Sequence, residues 1–125
     1  VEDNELNREI EATVLTGAGF VVDEEEDGSV AVEKVRNAAA GLYDVVLMDI
    51  QMPYKNGYET TAEIRLLKKY NKTPIIALTA GIVLGEKEKC LELGMDDYVS
   101  KPIVRSKLEE VLYKWLKKES QNEKN

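Results

Sequence analysis

The sequence predicts an α/β protein built on a doubly wound parallel sheet. Three observations predict it: helical patterns alternate with short apolar segments, two of these segments are unbroken apolar runs, and turn residues separate them. An unbroken apolar run is typical of a strand that is covered on both faces. Helices that alternate with such strands form right-handed crossovers on a parallel sheet.

The first element is predicted to be a helix. Leu6, Ile10 and Val14 recur every four residues after Asn4, and the pattern stops at Gly17. This spacing places the three apolar side chains on one helix face. Asparagine is a good N-cap and glycine commonly ends a helix, so both boundaries agree with the periodicity.

A strand, a helix and a second strand are predicted next. Phe20–Val22 is a short apolar run that leads into an acidic stretch, and Asp27-Gly28 is a turn signal. We therefore expect a strand with one solvent-exposed face. A helix follows and ends at Gly41, and Val45–Met48 is the first unbroken run. The apolar stripe of that helix consists of Ala31, Val32, Val35, Ala38 and Ala39.

The second half of the chain repeats the alternation. A loop with Asn56-Gly57 precedes a third helix, and Ile75–Leu78 is the second unbroken run. A fourth helix ends at Gly94, and Tyr98–Val99 is a last short strand before the final helix. The apolar stripes are Thr61, Ile64 and Leu67 on the third helix, Leu84, Cys90, Leu91 and Leu93 on the fourth, and Leu108, Val111, Leu112, Trp115 and Leu116 on the last.

Length and composition limit the class of protein. With 125 residues, we expect one domain at residues 1–118 and a polar tail at 119–125. The 17 basic and 24 acidic residues give a net charge of −7, which disfavours nucleic acid or an anionic membrane as a partner. There is neither a signal peptide nor an apolar run of about 20 residues, so we expect a cytoplasmic location. Asp96 and Asp97 are expected in a solvated loop.

Chemistry-bearing residues follow several of the predicted strands. They are Glu2 and Asp3 after the remnant of a first strand, Asp49 after the third, Thr79 after the fourth and Lys101 after the fifth. Ligands bind at the carboxyl ends of strands in this architecture, so one pocket would collect all of them. Three carboxylates repel each other unless a cation lies between them, and oxygen ligands without histidine or thiolate point to Mg²⁺.

This set of side chains has what phosphoryl transfer requires. A carboxylate on Mg²⁺ supplies a nucleophile, while a lysine and a threonine supply charge neutralisation and positioning donors. Asp49 is the expected nucleophile because it follows a central, rigid strand. The chain contains no histidine, so chemistry here depends on carboxylates, hydroxyls and lysine. A flavodoxin-like nucleotide binder remains open at this point.

Four motifs, taken in order, resemble the receiver domains of response regulators in two-component systems. The resemblance covers Val1 to about Leu116, and the motifs are most similar to receivers of hybrid sensor histidine kinases. Four motifs in the expected order are far more specific than any one of them. They are Val1-Glu2-Asp3-Asn4; Leu47-Met48-Asp49-Ile50-Gln51-Met52-Pro53 with Asn56-Gly57; Ala77-Leu78-Thr79-Ala80; and Gly94-Met95-Asp96-Asp97-Tyr98-Val99-Ser100-Lys101-Pro102.

The resemblance implies a fold and a metal site. The fold would be a flavodoxin-like sheet of five parallel strands in the order 2-1-3-4-5 with five helices. Asp49 would be the phosphorylation site, and Glu2, Asp3, Asp49 and the backbone carbonyl of Gln51 would hold Mg²⁺. No organic cofactor is implied.

The resemblance also implies how the phosphoryl group would be read. Thr79 and Lys101 would each contact a phosphoryl oxygen, and Tyr98 would turn inward as Thr79 moves, which changes a protein-binding face. The Lys101–Pro102 peptide bond is expected to be cis. The partner would be a histidine kinase or a histidine phosphotransfer protein. The domain would promote only its own phosphorylation and dephosphorylation, and so would not be an enzyme.

The chain departs from this family at its first strand. Only Val1 remains of the apolar strand that would precede Glu2 and would lie between the second and third strands. Backbone donors and acceptors along that gap would lack partners. A strand from another molecule, through a homodimer or strand exchange, is one way in which the gap would be filled.

Three other functions stay open from sequence alone. A binding module that acts without phosphorylation would use the last-helix face. An aspartate-nucleophile phosphatase would need a second acid two residues after Asp49, where this chain has Gln51. A flavin carrier would need a phosphate-binding loop after the first strand, and the chain lacks the glycines or hydroxyls for one.

Overall fold

The computed structural model describes residues 1–2, 4–39, 41–50, 56–79, 86–101 and 103–124. From residue 28 onwards, helices and strands alternate as the sequence predicts. The helices are α1 (Glu5–Gly17), α2 (Gly28–Asn37), α3 (Gly57–Arg65), α4 (Glu86–Glu92) and α5 (Arg105–Lys124), with a short 3₁₀ helix at Lys68–Tyr70. The strands are β1 (Val46–Asp49), β2 (Ile75–Thr79) and β3 (Asp97–Ser100).

The three described strands form a parallel sheet in the order β1-β2-β3. Met48 lies opposite Ala77, and Leu78 lies opposite Val99. Apolar clusters cover both faces: one contains Met48 and Ala77, and the other contains Leu78, Leu108 and Leu112. The doubly wound parallel fold with five helices is therefore confirmed, and β1 to β3 stand at the predicted third to fifth places.

Val1 and Glu2, the first-strand remnant, lie beside β1. The Val1 amine donates to the Leu47 carbonyl, and the Asp49 N–H donates to the Val1 carbonyl at 2.9 Å. This pair of bonds is that of a parallel strand in which Val1 faces Met48. On its other side, the Glu2 N–H donates to the Glu25 carbonyl at 2.9 Å. The remnant therefore joins β1 to the segment that precedes α2.

The predicted strand at residues 20–22 is not formed, which corrects the sequence analysis. Glu2 of the first-strand remnant pairs with Glu25 instead of Phe20–Val22, and the Phe20 N–H donates to the Leu15 carbonyl at the end of α1. A cleft of about 490 Å³ lies there instead. Its apolar lining comes from both core layers and includes Leu15, Phe20, Val22, Val45 and Leu47. Apolar side chains alone do not hold a strand when no partner accepts its backbone hydrogen bonds.

The helix boundaries follow local signals. The side chains of Asn4, Asp27 and Asn56 accept hydrogen bonds from backbone N–H groups in the first turns of α1, α2 and α3. These N-caps satisfy donors that the helices leave open. The last helix, α5, continues through the polar segment to Lys124. Lysine, glutamate and glutamine favour helix without any apolar periodicity, so a polar segment can extend one.

Asp96 and Asp97 do not lie in a solvated loop, which is a second correction. Asp96 accepts hydrogen bonds from the Arg65 guanidinium at 2.6 Å and from the Ile75 N–H at 2.8 Å. Asp97 accepts a hydrogen bond from the Trp115 indole N–H at 2.9 Å. The two acids thus attach the start of β3 to the helical layers on both faces of the sheet.

Arg65 connects the loop after α3 to the loop before β3. Besides Asp96, its guanidinium donates to four backbone carbonyls. These carbonyls belong to Gly94 at 2.9 Å, Tyr70 at 3.3 Å, Asn71 at 3.2 Å and Thr73 at 2.7 Å. The planar fork of arginine carries five N–H donors on three nitrogens, whereas lysine carries three on a single nitrogen and cannot reach all of these acceptors.

We expect Arg65→Lys to lower the free energy of unfolding by about 2 kcal/mol, because several part-buried acceptors lose their donor. Urea unfolding of the two proteins measures the difference. Arg36→Lys is the matched control, since the Arg36 guanidinium pairs with Glu33 on an exposed helix face. An exposed pair of this kind contributes about 0 to 1 kcal/mol. Equal losses in both variants would contradict the role given to Arg65.

Candidate functional site

The candidate site lies where β1 ends and the first-strand remnant meets it. Asp49 is the last residue of β1 and is 4% exposed, and Glu2 is 3% exposed. Both acids are placed by backbone pairing, since Val1 bonds to Leu47 and Asp49. Two buried carboxylates at the same edge of a sheet require a counter-charge.

Lys101 supplies that counter-charge. Its ammonium lies 3.0 and 3.2 Å from the two carboxylate oxygens of Glu2 and 3.1 Å from Asp49 Oδ2. Lys101 follows β3 directly, and its backbone N–H donates to the Thr79 carbonyl at 2.7 Å. The adjacent strand end therefore holds the lysine over the two acids. The structure brings together three of the residues that the sequence predicted for this site.

The electrostatics of the cluster reflect crowding of negative charge. Burial and the neighbouring Glu2 together raise the pKa of Asp49 to about 6, against the lowering effect of Lys101. Burial lowers the pKa of Lys101, but its hydrogen bonds to Glu2 and Asp49 outweigh burial and leave the pKa above its ordinary value. At neutral pH, Asp49 is thus mainly a carboxylate and Lys101 a cation.

Gly57 allows the next helix to start against Asp49. The Gly57 N–H donates to the Ile50 carbonyl at 2.9 Å. A Cβ at position 57 would lie 2.9 Å from Ile50 Cα and closer still to the Asp49 carbonyl oxygen. Only glycine permits this approach. The turn signal Asn56-Gly57 predicted a loop end here, but it did not reveal contact with the site.

Thr79 and Tyr98 lie on the neighbouring strands. Thr79 ends β2, is buried, and lies opposite Ser100 in the register. Tyr98 lies opposite Ala77 and packs half-buried against the core cluster that contains Met48 and Ile64. Thr79 thus lies beside Lys101 at the carboxyl edge of the sheet. Tyr98 lies two residues before the end of β3, on the strand next to Thr79.

Three predicted positions lie outside the described residues: Asp3, Gln51 and Pro102. Within the described part of the chain, no group of three or more metal-binding side chains is present. Glu2 and Asp49 nevertheless fit a hard divalent cation. Both are buried oxygen donors, and the two carboxylates share one ammonium group, that of Lys101.

Glu11 is a buried acid that the sequence analysis missed. It is 6% exposed, and neither carboxylate oxygen has a hydrogen-bond partner among the described residues. Burial, and to a smaller extent the neighbouring Glu2, raises the pKa of Glu11 to about 7. The apolar periodicity of α1, through Ile10 and Val14, did not indicate that Glu11 is buried. Glu11 lies on the side of α1 that lines the cleft.

We expect Glu11→Leu to stabilise the fold by about 2 kcal/mol at pH 8, since an uncompensated buried charge is removed. The folded-state pKa of about 7 lies above the ordinary 4.5, so the folded protein binds more protons between these values. Stability from this group therefore falls as pH rises through 7, and the gain in the variant should shrink towards pH 5. Thermal unfolding at both pH values tests this, with exposed Glu9→Leu as control. A variant that is less stable at pH 8 would contradict it.

Among the described helices, none combines the length and the apolar character needed to cross a lipid bilayer.

Comparison with known proteins assigns the chain to a family. Residues 1–113 match the response regulator receiver domain family. A two-component response regulator of Oryza sativa subsp. japonica is 44% identical over 117 residues, which are 92% of this chain and 90% of that protein. Hybrid signal transduction histidine kinase I of Dictyostelium discoideum is 44% identical over 116 residues, which are 89% of this chain but only 7% of that protein.

Solved structures agree in fold. The receiver domain of a Pseudomonas aeruginosa sensor histidine kinase has a TM-score of 0.84 and 39% identity, with 93% of each chain covered. That structure was solved with a magnesium ion coordinated in its active-site cleft. A chemotaxis protein of Vibrio cholerae has a TM-score of 0.83 and 27% identity, with 90% of this chain and 92% of that chain covered. The chain therefore belongs to the response regulator receiver domain family of two-component signalling proteins.

Proposed function

We propose that Asp49 accepts a phosphoryl group from a phosphohistidine on a partner protein. The observation that carries this proposal is the contact of the Lys101 ammonium with both Asp49 and Glu2 at the carboxyl edge of a parallel sheet. An Asp49 oxygen would bond to phosphorus as the phosphorus–nitrogen bond of the donor breaks. The pKa of about 6 leaves Asp49 ionised, and therefore nucleophilic, at neutral pH.

The other site residues would prepare this transfer. Glu2 and Asp49, with Asp3 and the Gln51 carbonyl, would hold Mg²⁺, which would supply positive charge against the phosphoryl oxygens. Lys101 already lies near Asp49 Oδ2 and would neutralise a further oxygen. Thr79, beside Lys101 at the edge of the sheet, would donate a hydrogen bond to the phosphoryl group. The carboxylates would thus bind the cation, and the ammonium and hydroxyl groups would bind the negatively charged phosphoryl oxygens.

The phosphoryl group would then act as a switch. It adds about −1.5 to −2 of charge and three acceptor oxygens, which biases an equilibrium between two surface states. Thr79 would move towards it, and Tyr98 would follow into the space behind Thr79. The surface formed by α4, β3 and α5 would change as a result, which would alter protein binding.

Partners and location follow from the same proposal. The chain contains no histidine, so the donor would be a histidine kinase or a histidine phosphotransfer protein, or a kinase portion joined to this domain. The domain would promote only its own phosphorylation and dephosphorylation, in the cytoplasm. Strand exchange or a homodimer that fills the cleft beside β1, the domain boundary at residue 118 and the cis Lys101–Pro102 bond stay predictions.

Incubation with acetyl phosphate and Mg²⁺, followed by intact-mass measurement, tests the proposal. We expect the wild-type protein to gain one phosphoryl group and Asp49→Asn to gain none. Asp44→Asn, at an exposed acid in the turn before β1, is the matched control and should be labelled like the wild type. Omission of Mg²⁺ should abolish labelling. A folded wild-type protein that stays unlabelled, or an Asp49→Asn variant that is labelled, would refute the proposal.

A further inference from the structure

Arg8 on α1 contacts the backbone beside the site. Its guanidinium donates to the Glu2 carbonyl at 3.0 Å. The same side chain is 20% exposed and lies 4.0 Å from a Glu24 oxygen and 3.8 Å from a Glu26 oxygen. Arg8 therefore joins the acidic segment before α2 to the residue that carries one of the buried carboxylates.

Glu2 is held from two directions by these contacts. Its N–H donates to the Glu25 carbonyl, and its carbonyl accepts from Arg8. With both backbone groups fixed, the Glu2 side chain has a defined direction, and its two oxygens reach the Lys101 ammonium.

Two carboxylates lie near the positive charge of Arg8. Glu24 and Glu26 flank the guanidinium, and its hydrogen bond goes to a carbonyl rather than to a carboxylate of the site. Repulsion between Arg8 and a cation at Glu2 and Asp49 is therefore screened, whereas the hydrogen bond to Glu2 is local and directional. When Arg8 is replaced, the loss of the hydrogen bond that positions Glu2 should weaken cation binding more than the removal of the Arg8 charge strengthens it.

We infer that Arg8 is a positioning residue for the divalent-cation site, acting through the Glu2 backbone. This inference rests on the proposed function, because it assigns a role within the same site. Arg8 touches neither the phosphoryl group nor the cation. Its effect is to keep the Glu2 carboxylate directed towards Asp49 and Lys101.

Calorimetric titration with MgCl₂ tests the inference, using wild type, Arg8→Gln, Arg8→Lys and Arg36→Gln. We expect Arg8→Gln to raise the Kd for Mg²⁺ about tenfold, equivalent to about 1.4 kcal/mol. Arg8→Lys keeps the charge and one donor and should recover part of the loss. Arg36→Gln removes the same charge from an exposed pair with Glu33 and should bind Mg²⁺ like the wild type.

Labelling by acetyl phosphate as a function of Mg²⁺ supplies the second readout. For Arg8→Gln, the rate at saturating Mg²⁺ should stay within about twofold of wild type, while half-saturation moves to higher Mg²⁺. A merely structural role would lower the saturating rate as well, and that result would overturn the inference. Unchanged or tighter Mg²⁺ binding in Arg8→Gln would also overturn it. If the wild type itself bound no Mg²⁺ and took no label, the proposed function would fail instead.

Discussion

Gly57→Ala should lower the free energy of unfolding by about 3 kcal/mol, at the upper end of overpacking costs. The added methyl group would lie 2.9 Å from Ile50 Cα and closer to the Asp49 carbonyl oxygen. Backbone atoms on both sides of the contact cannot rotate away, as a flexible side chain would. Either α3 or the end of β1 must move, and the latter carries Asp49. Urea unfolding measures the loss of stability.

The same variant should also label slowly. A displacement of about 1 Å at a reacting group can cost roughly 100-fold in rate. Gly17→Ala is the matched control, because a Cβ at position 17 meets no atom within 4 Å. It should be neutral or more stable by up to about 1 kcal/mol, since alanine favours helix. If the two alanine variants were equally stable and labelled equally fast, α3 would not be packed on Asp49 as described.

Lys101→Met should slow phosphoryl labelling of Asp49 by about 100-fold, the usual cost of removing one preorganised group that stabilises developing charge. Lys101 is the described cation that contacts both buried acids. Methionine preserves much of the side-chain length and removes the charge. The initial rate of mass gain with acetyl phosphate at saturating Mg²⁺ measures the effect. Lys107→Met, on the exposed face of α5, should label at the wild-type rate.

Lys101→Met should also change the dependence of stability on pH. In the wild type, the folded-state pKa of Asp49 is about 6 and its ordinary value is 3.8, so stability from this group falls as pH rises between them. Lys101 holds the pKa of Asp49 down, so its removal should extend this loss to higher pH. We expect the variant to be less stable by about 3 kcal/mol at pH 8 and to regain stability towards pH 5. A loss that is independent of pH would contradict this electrostatic account.

Much of the fold followed from local patterns. The unbroken apolar runs Val45–Met48 and Ile75–Leu78 predicted strands covered on both faces, and the structure places β1 and β2 there. Strand ends then predicted that Glu2, Asp49 and Lys101 would meet, because parallel strands share one carboxyl edge. This contact spans 99 residues of sequence and follows from topology rather than from proximity along the chain.

The remainder depended on tertiary contacts that periodicity does not encode. Phe20–Val22 had the composition of a strand but pairs with none of the described strands. Asp96 read as polar loop because its partner, Arg65, is 31 residues away. Glu11 was missed for a related reason: whether a glutamate on an amphipathic helix is solvated depends on what packs against that side.

Borohydride trapping is the measurement that most directly tests the central claim, that Asp49 is the phosphoryl acceptor. Borohydride reduces an aspartyl phosphate to homoserine, and peptide mass spectrometry then locates the converted residue. After treatment with acetyl phosphate and Mg²⁺, we predict homoserine at position 49 in the wild type and unconverted peptide without Mg²⁺. Homoserine at another acid, or none in a folded protein that binds Mg²⁺, would contradict the assignment of Asp49.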